Sequence, residues 1–461
     1  MSGTTPPSAA PSTTPLAASS PGKTLVLFNY DWDLSGFAAQ AKRWPHLSAG
    51  FDLFSFPSNA QLIWFDIERF VARWARRATL KGVRAVASNH EQFGVLAAAL
   101  LAERMGWPGT PVNAVLACQH KLYARDVLDR VCPEANTPYQ RLDAAYGEDV
   151  PANLTFPLFV KPVKAAFSVL ARVVNSQAEL QQHTRFGAWE LWVIRHLVEP
   201  FERVMRQRLP SAGTAHSLML ERPVDAPQHC LDGYVYQGQV HRLGVVDVDM
   251  YPGTQAFMRW DYPSRLSTSV QDQATEVAAA FLKEVGFTHG LFNMEFFHDP
   301  ATGKLTVIEF NPRLASQFSD LYQRVSGLQL HGMVMALAHG QDPASVPRLA
   351  PTAGAAASFV YRHFDAQRRV HLPSKVQTQV FHQAYPDALL FVFGKSAGAI
   401  ARDYKWLGSH RYGIVHLGGA DAQDLRRRCE VASSLLGWSV PYADVHHGKP
   451  VPKVSRTESM A

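Results

Sequence analysis

The chain has 461 residues, of which 47% are hydrophobic and 18% are charged. A chain of this length and balance can bury a large core, and we expect it to form several structural units. Its net charge of +6 is spread along the sequence, and the densest basic cluster is the short run Arg426–Arg428. No nucleic-acid-binding motif accompanies this charge, so we expect no nucleic-acid partner. A cleft that attracts phosphates explains the positive balance equally well.

The two ends of the chain have the composition of tails. Residues 1–22 are almost wholly Ser, Thr, Pro, Ala and Gly, which predicts disorder, and residues 446–461 are predicted to be loose. The first segment lacks the basic start and apolar stretch of a signal peptide. The longest apolar run, Gly94–Ala102, is too short to span a membrane. The four cysteines have neither zinc nor redox spacing, which suits a reducing cytoplasm, so we expect a cytoplasmic protein without a membrane partner.

Residues 23–119 alternate strand and helix patterns. The apolar run Thr24–Tyr30 is typical of a buried parallel strand, and Phe65–Thr79 and Phe93–Met105 have apolar residues at helical spacing. Gly106 ends the second of these helices. The pattern predicts an open α/β sheet, whose ligands lie at the carboxyl ends of its strands. Because no Gly-x-Gly-x-x-Gly is present, we do not expect a dinucleotide ligand.

The strongest functional pattern is a predicted β-hairpin. Its strands, Leu291–Phe297 and Leu305–Asn311, flank a spacer that contains Asp, Pro and Gly, which favour a tight reversal. A hairpin centred on Thr302 places Glu295 directly opposite Glu309. Opposed side chains have Cβ atoms about 5 Å apart, where like charges repel. Such a pair needs a proton or a cation between its members.

A cation fits this arrangement. Along a strand, alternate side chains share a face, so Leu305, Val307, Glu309 and Asn311 are predicted to lie on one face. Magnesium prefers carboxylate and other oxygen ligands, which the two glutamates and the asparagine amide supply. Arg313 follows two residues later and suits an oxyanion. The alternative is a hairpin with a slipped pairing and two solvated glutamates.

This stretch resembles the ATP-grasp superfamily, whose last catalytic strands carry Gly-x-x-x-x-Glu and then Glu-x-Asn-x-Arg. The matching residues here are Gly290, Glu295, Glu309, Asn311 and Arg313. The resemblance implies that the two glutamates and the asparagine hold the magnesium ions of MgATP, two ions being expected and Mn²⁺ being an alternative. It also implies that the arginine is a catalytic residue beside the transferred phosphoryl group.

Two lysines extend the resemblance. Lys161 ends a buried apolar strand, so its ammonium must find a partner or reach a cleft. The resemblance assigns Lys161 to the α- and β-phosphates, and it assigns Lys121, which opens a predicted helix, to a nucleotide phosphate. For Lys121 the alternative is an ordinary helix-surface lysine. The loop that follows Lys161 lacks the glycines usual in the family and carries the unexpected Phe167, but Ser168 could still donate a hydrogen bond to a phosphate.

The resemblance also marks a nucleotide hinge after a strand that ends near Glu221. This hinge would read adenine through main-chain groups: Glu221 and the carbonyl of Arg222 would accept from the exocyclic amine, and the N–H of Val224 would donate to the ring. His229 or Asp232 would then approach the ribose. For His229, a plain exit from strand to loop is the alternative.

The predicted fold class is therefore α/β with α+β lobes. It divides into a pre-ATP-grasp domain (23–119), an ATP-grasp domain (120–345, lid lobe about 154–218) and a C-terminal α+β lobe (354–442). The small-rich run 98–110, which ends Gly-Trp-Pro-Gly, is similar to the pre-ATP-grasp domain of carboxylate–amine ligases.

The implied activity is an ADP-forming ligase that joins a small carboxylate, such as an amino acid, to an amine through an acyl phosphate. A carboxylating enzyme similar to biotin carboxylase is one alternative, although the Leu-Ala-Ser-Gln-Phe that follows Arg313 departs from its bicarbonate motif. A nucleotide-binding module without catalysis is another. Association of two copies into a homodimer is a further prediction.

The substrates are not encoded in a recognisable motif. Arg259, Trp260 and Arg324 are candidates to line their pocket. Nearby, Trp189 and Trp192 flank a segment that we predict to be a strand.

Overall fold

The fold was analysed in a computed structural model, which describes residues 22–53, 58–144, 146–165, 170–367 and 370–446. The two predicted tails lie almost wholly outside these ranges, as do Phe167 and Ser168. Among the described residues, no helix combines the length and the apolar character that crossing a membrane requires.

The first unit is a three-stranded parallel sheet with strand order β2-β1-β3. Its strands and helices are β1 (Lys23–Leu27), α1 (Asp31–Gln40), β2 (His46–Ala49), α2 (Ile67–Leu80), β3 (Val83–Ala87), α3 (Gly94–Met105) and α4 (Val112–Gln119). Helix α3 ends where Gly106 adopts the left-handed conformation, with φ of 66°. The predicted open α/β sheet is confirmed.

The second unit is a four-stranded antiparallel sheet with order β4-β7-β5-β6. Its elements are α5 (Lys121–Val131), β4 (Tyr139–Leu142), β5 (Leu158–Pro162), β6 (Arg172–Val174), α6 (Gln177–Thr184), α7 (Ala188–Arg208) and β7 (Leu218–Glu221). The predicted strand between Trp189 and Trp192 is wrong, because both lie in α7. Their rings stack at 4.9 Å, as residues three apart on one helix face can do.

The third unit is an eight-stranded sheet with order β12-β11-β8-β9-β10-β13-β15-β14, antiparallel throughout. Its strands are β8 (Gln228–Tyr236), β9 (Gln239–Met250), β10 (Phe257–Tyr262), β11 (Gly290–His298), β12 (Leu305–Asn311), β13 (Ala355–His363), β14 (Leu389–Val392) and β15 (His410–Gly419). Its helices are α8 (Thr268–Glu284), α9 (Ser319–Ser326), α10 (Leu330–Ala338), α11 (Lys375–Ala384), α12 (Ala397–Leu407) and α13 (Ala422–Leu436). Strands from the predicted C-terminal lobe thus extend the sheet that carries the hairpin.

The large sheet is covered on both faces. On one face, apolar side chains of β8, β9 and β11 pack with α1, α9 and α10. On the other face, α5 and α8 cover the hairpin end. A separate core joins the three-stranded sheet to α2, α3 and the second half of α7. The hairpin therefore lies where the three units meet, and its polar side chains reach the junction.

Candidate active site

The predicted hairpin forms, and Glu295 on β11 lies directly opposite Glu309 on β12. Asn293 and Asn311 are paired in the same way, so four polar residues occupy one face. Beyond them a β-bulge shifts the register, and Ile308 is left without a cross-strand partner. The predicted pairing of the glutamates is confirmed.

The bulge overturns one detail of the predicted hairpin. Strict alternation would place Leu305 and Val307 on the face of Glu309, but the extra residue reverses their side chains. Leu305 and Val307 pack instead in the core beneath α5 and α8, together with Phe310. The bulge thus separates an apolar half of β12 from the half that carries the functional groups.

The two glutamates have opposite electrostatic environments. Glu295 accepts hydrogen bonds from Nε2 of Gln228 at 2.9 Å and from Nδ2 of Asn311 at 3.3 Å. Burial raises the pKa of Glu295 to about 8, and the charge of Glu309 adds to the effect. Burial also opposes ionisation of Glu309, but Lys121 and Lys161 outweigh it and lower the pKa of Glu309 to about 2. One carboxyl therefore favours its proton while the other is ionised.

This donor set fits a divalent cation. A cation between the carboxyls would favour the ionised form of both, since opposite charge lowers a carboxyl pKa. Asn311 uses its NH₂ group to bond Asn293 and Glu295, and its amide oxygen is the atom that would bind a metal. No group of three or more His, Cys, Asp or Glu in the described parts of the chain is placed to hold a metal. Two carboxylates and an amide match magnesium, which completes its shell with water and phosphate oxygens.

Lys121 lies at the start of α5, beside the hairpin. Its Nζ is 3.0 Å from Oε2 of Glu309 and donates to the carbonyl of Ala165 at 2.9 Å. The helix begins there because Nδ1 of His120 accepts from the N–H of Tyr123 as an N-cap. The interpretation of Lys121 as a helix-surface lysine is wrong, since its side chain is largely buried and faces the glutamates.

Lys161 and Glu221 form a buried ion pair. Nζ of Lys161 lies 2.9 Å from Oε2 of Glu221, and Nε of Arg125 lies 2.6 Å from the other carboxylate oxygen. Burial lowers the pKa of Lys161 to about 8, although Glu221 opposes the shift. The side chain of Glu221 is thus bound to Arg125 and Lys161. The predicted contact with adenine would therefore use the main-chain atoms of Glu221.

Arg125 ties this pair to the bulge. It donates to the carbonyl of Val307 at 2.6 Å and to that of Ile308 at 3.1 Å, while Lys161 lies 3.5 Å from the Ile308 carbonyl. Both carbonyls lie at the β-bulge, where they face Arg125 and Lys161. One buried arginine therefore connects α5, β7 and the hairpin, which positions both predicted phosphate-binding lysines relative to the glutamates.

The predicted hinge residues follow β7. The N–H of Arg222 donates to the carbonyl of Pro138 at 3.0 Å, and the Arg222 carbonyl accepts from Oγ1 of Thr137 at 3.3 Å. Val224 is half-buried in the loop beyond. Ser168 lies outside the described residues. The nucleotide-binding roles of these residues remain predictions.

His229 and Asp232 point to opposite faces of β8. Asp232 is on the face of Glu295, where it accepts from Asn293 at 3.0 Å and from the Tyr322 hydroxyl at 2.9 Å. Burial raises the pKa of Asp232 to about 7. On the other face, Nδ1 of His229 lies 2.8 Å from Oδ1 of Asp247. Of the two candidates for ribose, only Asp232 shares a face with the glutamate pair.

Arg313 meets the first unit of the fold. Its Nη2 lies 2.6 Å from Oε2 of Glu91, in the loop after β3. The carbonyl of Glu91 accepts from Gln119 at 2.8 Å and lies 3.4 Å from Nζ of Lys164. Burial opposes the charge of Arg313, but Glu91 raises its pKa above the usual value. The loop after a parallel strand thus reaches the cluster around the glutamate pair, as the rule for open α/β sheets predicts.

Four residues of this cluster were not identified from the sequence: Glu91, Arg125, Lys164 and Gln228. Arg125 was detectable in principle, because it lies one helical turn after Lys121 and so shares its face. Glu91 and Lys164 come close to the hairpin through the packing of separate units, and Gln228 comes close through the pairing of β8 with β11. No spacing in the sequence marks these three residues.

The three substrate-pocket candidates do not converge. Arg259 and Trp260 are adjacent on β10 and therefore face opposite sides of the sheet. Arg259 pairs with Asp249 and Asp261, whereas Trp260 packs near Phe318. Arg324 bonds Asp320 at 2.7 Å. Trp260 lies on the face that carries Glu295, and Arg324 is on α9, which packs on the same face but binds other side chains.

Known proteins resemble this chain in sequence and in fold, although no family model matches it. Carnosine synthase 1 of Gallus gallus is 27% identical over 271 residues, which cover 56% of this chain and 27% of that protein. The chain therefore spans about a quarter of the length of this relative.

Two solved structures have a similar fold over most of this chain. The L-amino acid ligase from Bacillus licheniformis has a TM-score of 0.67 at 16% identity, covering 89% of this chain and 97% of that one. N5-carboxyaminoimidazole ribonucleotide synthetase from Thermus thermophilus has a TM-score of 0.57 at 16% identity, covering 90% and 98%. These are ATP-grasp ligases. The chain has the ATP-grasp fold, and within it the chain is similar to the carboxylate–amine ligases.

Proposed function

We propose that this protein is an ATP-dependent carboxylate–amine ligase that forms ADP and an amide bond through an acyl-phosphate intermediate. The observation that carries the proposal is the convergence of Glu295, Glu309 and Asn311 on one face of the hairpin, beside Lys121 and Lys161. Oxygen ligands and ammonium groups in one buried cluster suit a terminal phosphoryl group with its cation.

Each residue has a role that follows from its position. Magnesium, when bound, would neutralise phosphate charge, and Glu295, Glu309 and Asn311 would hold it. Lys121 and Lys161 would bind phosphate oxygens, which requires Lys121 to turn from Glu309 toward the nucleotide. Main-chain groups of Glu221, Arg222 and Val224 would hold adenine, with Asp232 or His229 toward the ribose and Ser168 toward a phosphate.

Arg313 would act on the carboxylate substrate. Its guanidinium lies at the junction with the first unit, held by Glu91 at 2.6 Å. A fixed cation at this point would orient the carboxylate for attack on the γ-phosphorus and stabilise the oxyanion when the amine adds to the acyl phosphate. The amine would then displace phosphate, giving an amide.

Amino acids are the proposed substrates, because the relative is a carnosine synthase and the structural neighbour an L-amino acid ligase. Phosphate release from ATP, screened over pairs of amino acids, tests this. Release that depends on an added amino acid supports the ligase. Release that needs bicarbonate alone would favour a carboxylating enzyme, and no release with any acceptor would favour a binding module. The cytoplasmic location and the homodimer remain predictions.

A further inference from the structure

Two arginines lie directly opposite each other in the part of the large sheet that β13 and β15 form. Arg362 on β13 pairs with Arg411 on β15, next to a β-bulge that shifts the register between Tyr361 and Arg362. Opposed residues on paired strands have Cβ atoms about 5 Å apart, and like charges at this separation are destabilising. Both arginines are half-buried, so water screens their charges only in part. The pair therefore needs a compensating negative charge.

The described parts of the chain do not supply that charge in full. The acid whose charge acts on both arginines is Asp403, and it forms an ion pair with neither of them. Its Oδ2 lies 2.7 Å from Nζ of Lys395 and 3.1 Å from Nδ1 of His410. One carboxylate is thus shared among several basic groups, and positive charge exceeds negative charge around the arginine pair.

Neutral groups hold the two guanidinium groups in place. Arg362 donates from Nη1 to the hydroxyl of Ser409 at 3.0 Å and from Nε to the carbonyl of Phe257 at 3.3 Å. The guanidinium carbon of Arg411 lies 4.6 Å from the centre of the Phe393 ring. In the described part of the chain, Nη2 of Arg362 and the guanidinium of Arg411 have no hydrogen-bond acceptor. Oriented donors therefore remain free to bind an ion.

The pKa values of the pair have the directions that this arrangement implies. Burial lowers the pKa of Arg411 to about 10, and the charge of Arg362 adds to the effect. Burial also lowers the pKa of Arg362. Both groups stay charged at neutral pH, but their charges are held at a cost in free energy. An anion bound to both would offset that cost.

The arginine pair is remote from the glutamate pair. Strands β8, β9 and β10 lie between β11, which carries Glu295, and β13, which carries Arg362. Four strand spacings correspond to about 19 Å across the sheet. An ion on the arginines would therefore occupy a place separate from the candidate metal and nucleotide residues.

We propose that Arg362 and Arg411 form a binding site for a phosphate dianion, either free phosphate or the phosphoryl group of a small molecule. Guanidinium groups suit this ligand because each offers parallel N–H donors to two oxygens of one phosphate. A dianion also matches two uncompensated positive charges better than a monovalent carboxylate does. The site does not depend on the proposed ligase activity.

The first test compares the thermal midpoints of the parent chain and Arg411→Gln in phosphate and in chloride of equal ionic strength. In chloride the variant should melt at least as high as the parent, because the repulsion between the arginines is removed. Phosphate should raise the midpoint of the parent more than that of the variant, since a ligand stabilises the state that binds it. An equal response of the two proteins to phosphate would overturn the proposal.

The second test measures the affinity for inorganic phosphate by calorimetry. Arg411→Gln should weaken it at least about tenfold. Arg427→Gln is the matched control, because it removes the same charge from an exposed side chain on α13, and it should stay within about twofold of the parent. Equal losses in the two variants would show that only the total charge matters, which refutes a site at the pair.

One further variant separates this site from the proposed nucleotide site. Lys161→Gln should retain the phosphate binding that Arg411→Gln loses. Loss in Lys161→Gln without loss in Arg411→Gln would place the phosphate among the nucleotide residues and contradict the proposal. If Arg411→Gln does not fold, Arg411→Lys keeps the charge but lacks the parallel donors, and it should also lose most of the affinity.

The source of the phosphate is distinguished by comparing probes at about pH 8, where phosphate and methyl phosphate are dianions. Methyl phosphate that binds as tightly as inorganic phosphate would assign the site to a phosphorylated molecule. Weaker binding of methyl phosphate, by about tenfold or more, would assign it to the free ion. Acetate that binds as tightly as phosphate would rule out the dianion.

Discussion

The ammonium nitrogen of Lys121 lies 3.0 Å from a carboxylate oxygen of Glu309, and both side chains are largely buried. Glu309 in turn lies opposite Glu295. A fixed ammonium thus balances one member of a like-charged pair. The arrangement indicates a site that is built for additional positive charge, because no lysine or arginine among the described residues bonds to Glu295, whose pKa is raised to about 8.

Replacing Glu309 by glutamine should abolish turnover while the fold is retained. The amide keeps the shape of the side chain but removes the charge that would hold the cation, so we expect phosphate release to fall at least about 100-fold. Phosphate release and circular dichroism on the purified variant provide the measurement. Glu284→Gln, at a half-exposed site on α8, is the control and should retain activity. Near-normal activity of the Glu309 variant would show that Glu309 does not bind the metal.

Arg125→Lys should destabilise the protein and impair catalysis together. A lysine cannot replace the separate bonds that Arg125 makes to Glu221, Val307 and Ile308, so buried acceptors lose their donors. The expected loss is about 2–4 kcal/mol of unfolding free energy, measured by denaturant titration. Arg130→Lys, half-exposed on the same helix, should change it by less than about 0.5 kcal/mol. Equal stability of the two variants would show that the bulge does not depend on Arg125.

Lys161→Gln should weaken nucleotide binding more than binding of the carboxylate substrate. Lys161 lies at the end of β5, in the cluster with Glu221, where a phosphate would gain a charged partner. We expect the affinity for a non-hydrolysable ATP analogue to fall about tenfold or more, measured by calorimetry. Lys283→Gln, near the end of α8, serves as the control. Unchanged nucleotide affinity would assign Lys161 a purely structural role.

Two buried histidines should contribute to the pH dependence of stability. Burial lowers the pKa of His90 and of His120 to about 4, below the ordinary value of 6.5. The unfolded chain therefore binds these protons more readily, so their contribution to stability is complete above pH 6.5 and is lost as the pH falls toward 4. Each shift corresponds to up to about 3 kcal/mol.

His120→Asn isolates one of these histidines. Asparagine keeps the N-cap acceptor of α5 but cannot take up a proton in this range. The unfolding free energy of the variant, measured between pH 7 and pH 4, should fall less steeply than that of the parent chain. Identical slopes would show that His120 does not contribute to the acid sensitivity.

The hairpin was predictable because its information is local. The turn residues set the register that pairs Glu295 with Glu309, and the pairing forms as predicted. The bulge at Ile308 was not predictable, since it depends on carbonyl acceptors that Arg125 and Lys161 use from other units. The segment between Trp189 and Trp192 was misassigned for a different reason. A short apolar pattern does not distinguish a strand from the first turns of a helix such as α7.

The remaining site residues depend on contacts between distant parts of the chain. Glu91 contacts Arg313 across 222 positions of sequence, and only the packing of the first unit onto the large sheet brings them together. Sequence patterns predicted the fold and the strands that carry the glutamate pair, whereas the groups that contact these strands from other units required the assembled structure.

Transfer of the γ-phosphoryl group of ATP to a carboxylate is the step that defines the proposed ligase. It can be tested by product analysis with ATP, magnesium, the amino-acid carboxylate that supports phosphate release, and hydroxylamine in place of the amine. An acyl phosphate reacts with hydroxylamine, so we expect ADP and a hydroxamate to form together, with no AMP. AMP and pyrophosphate as the only nucleotide products would contradict it, because they require attack at the α-phosphorus.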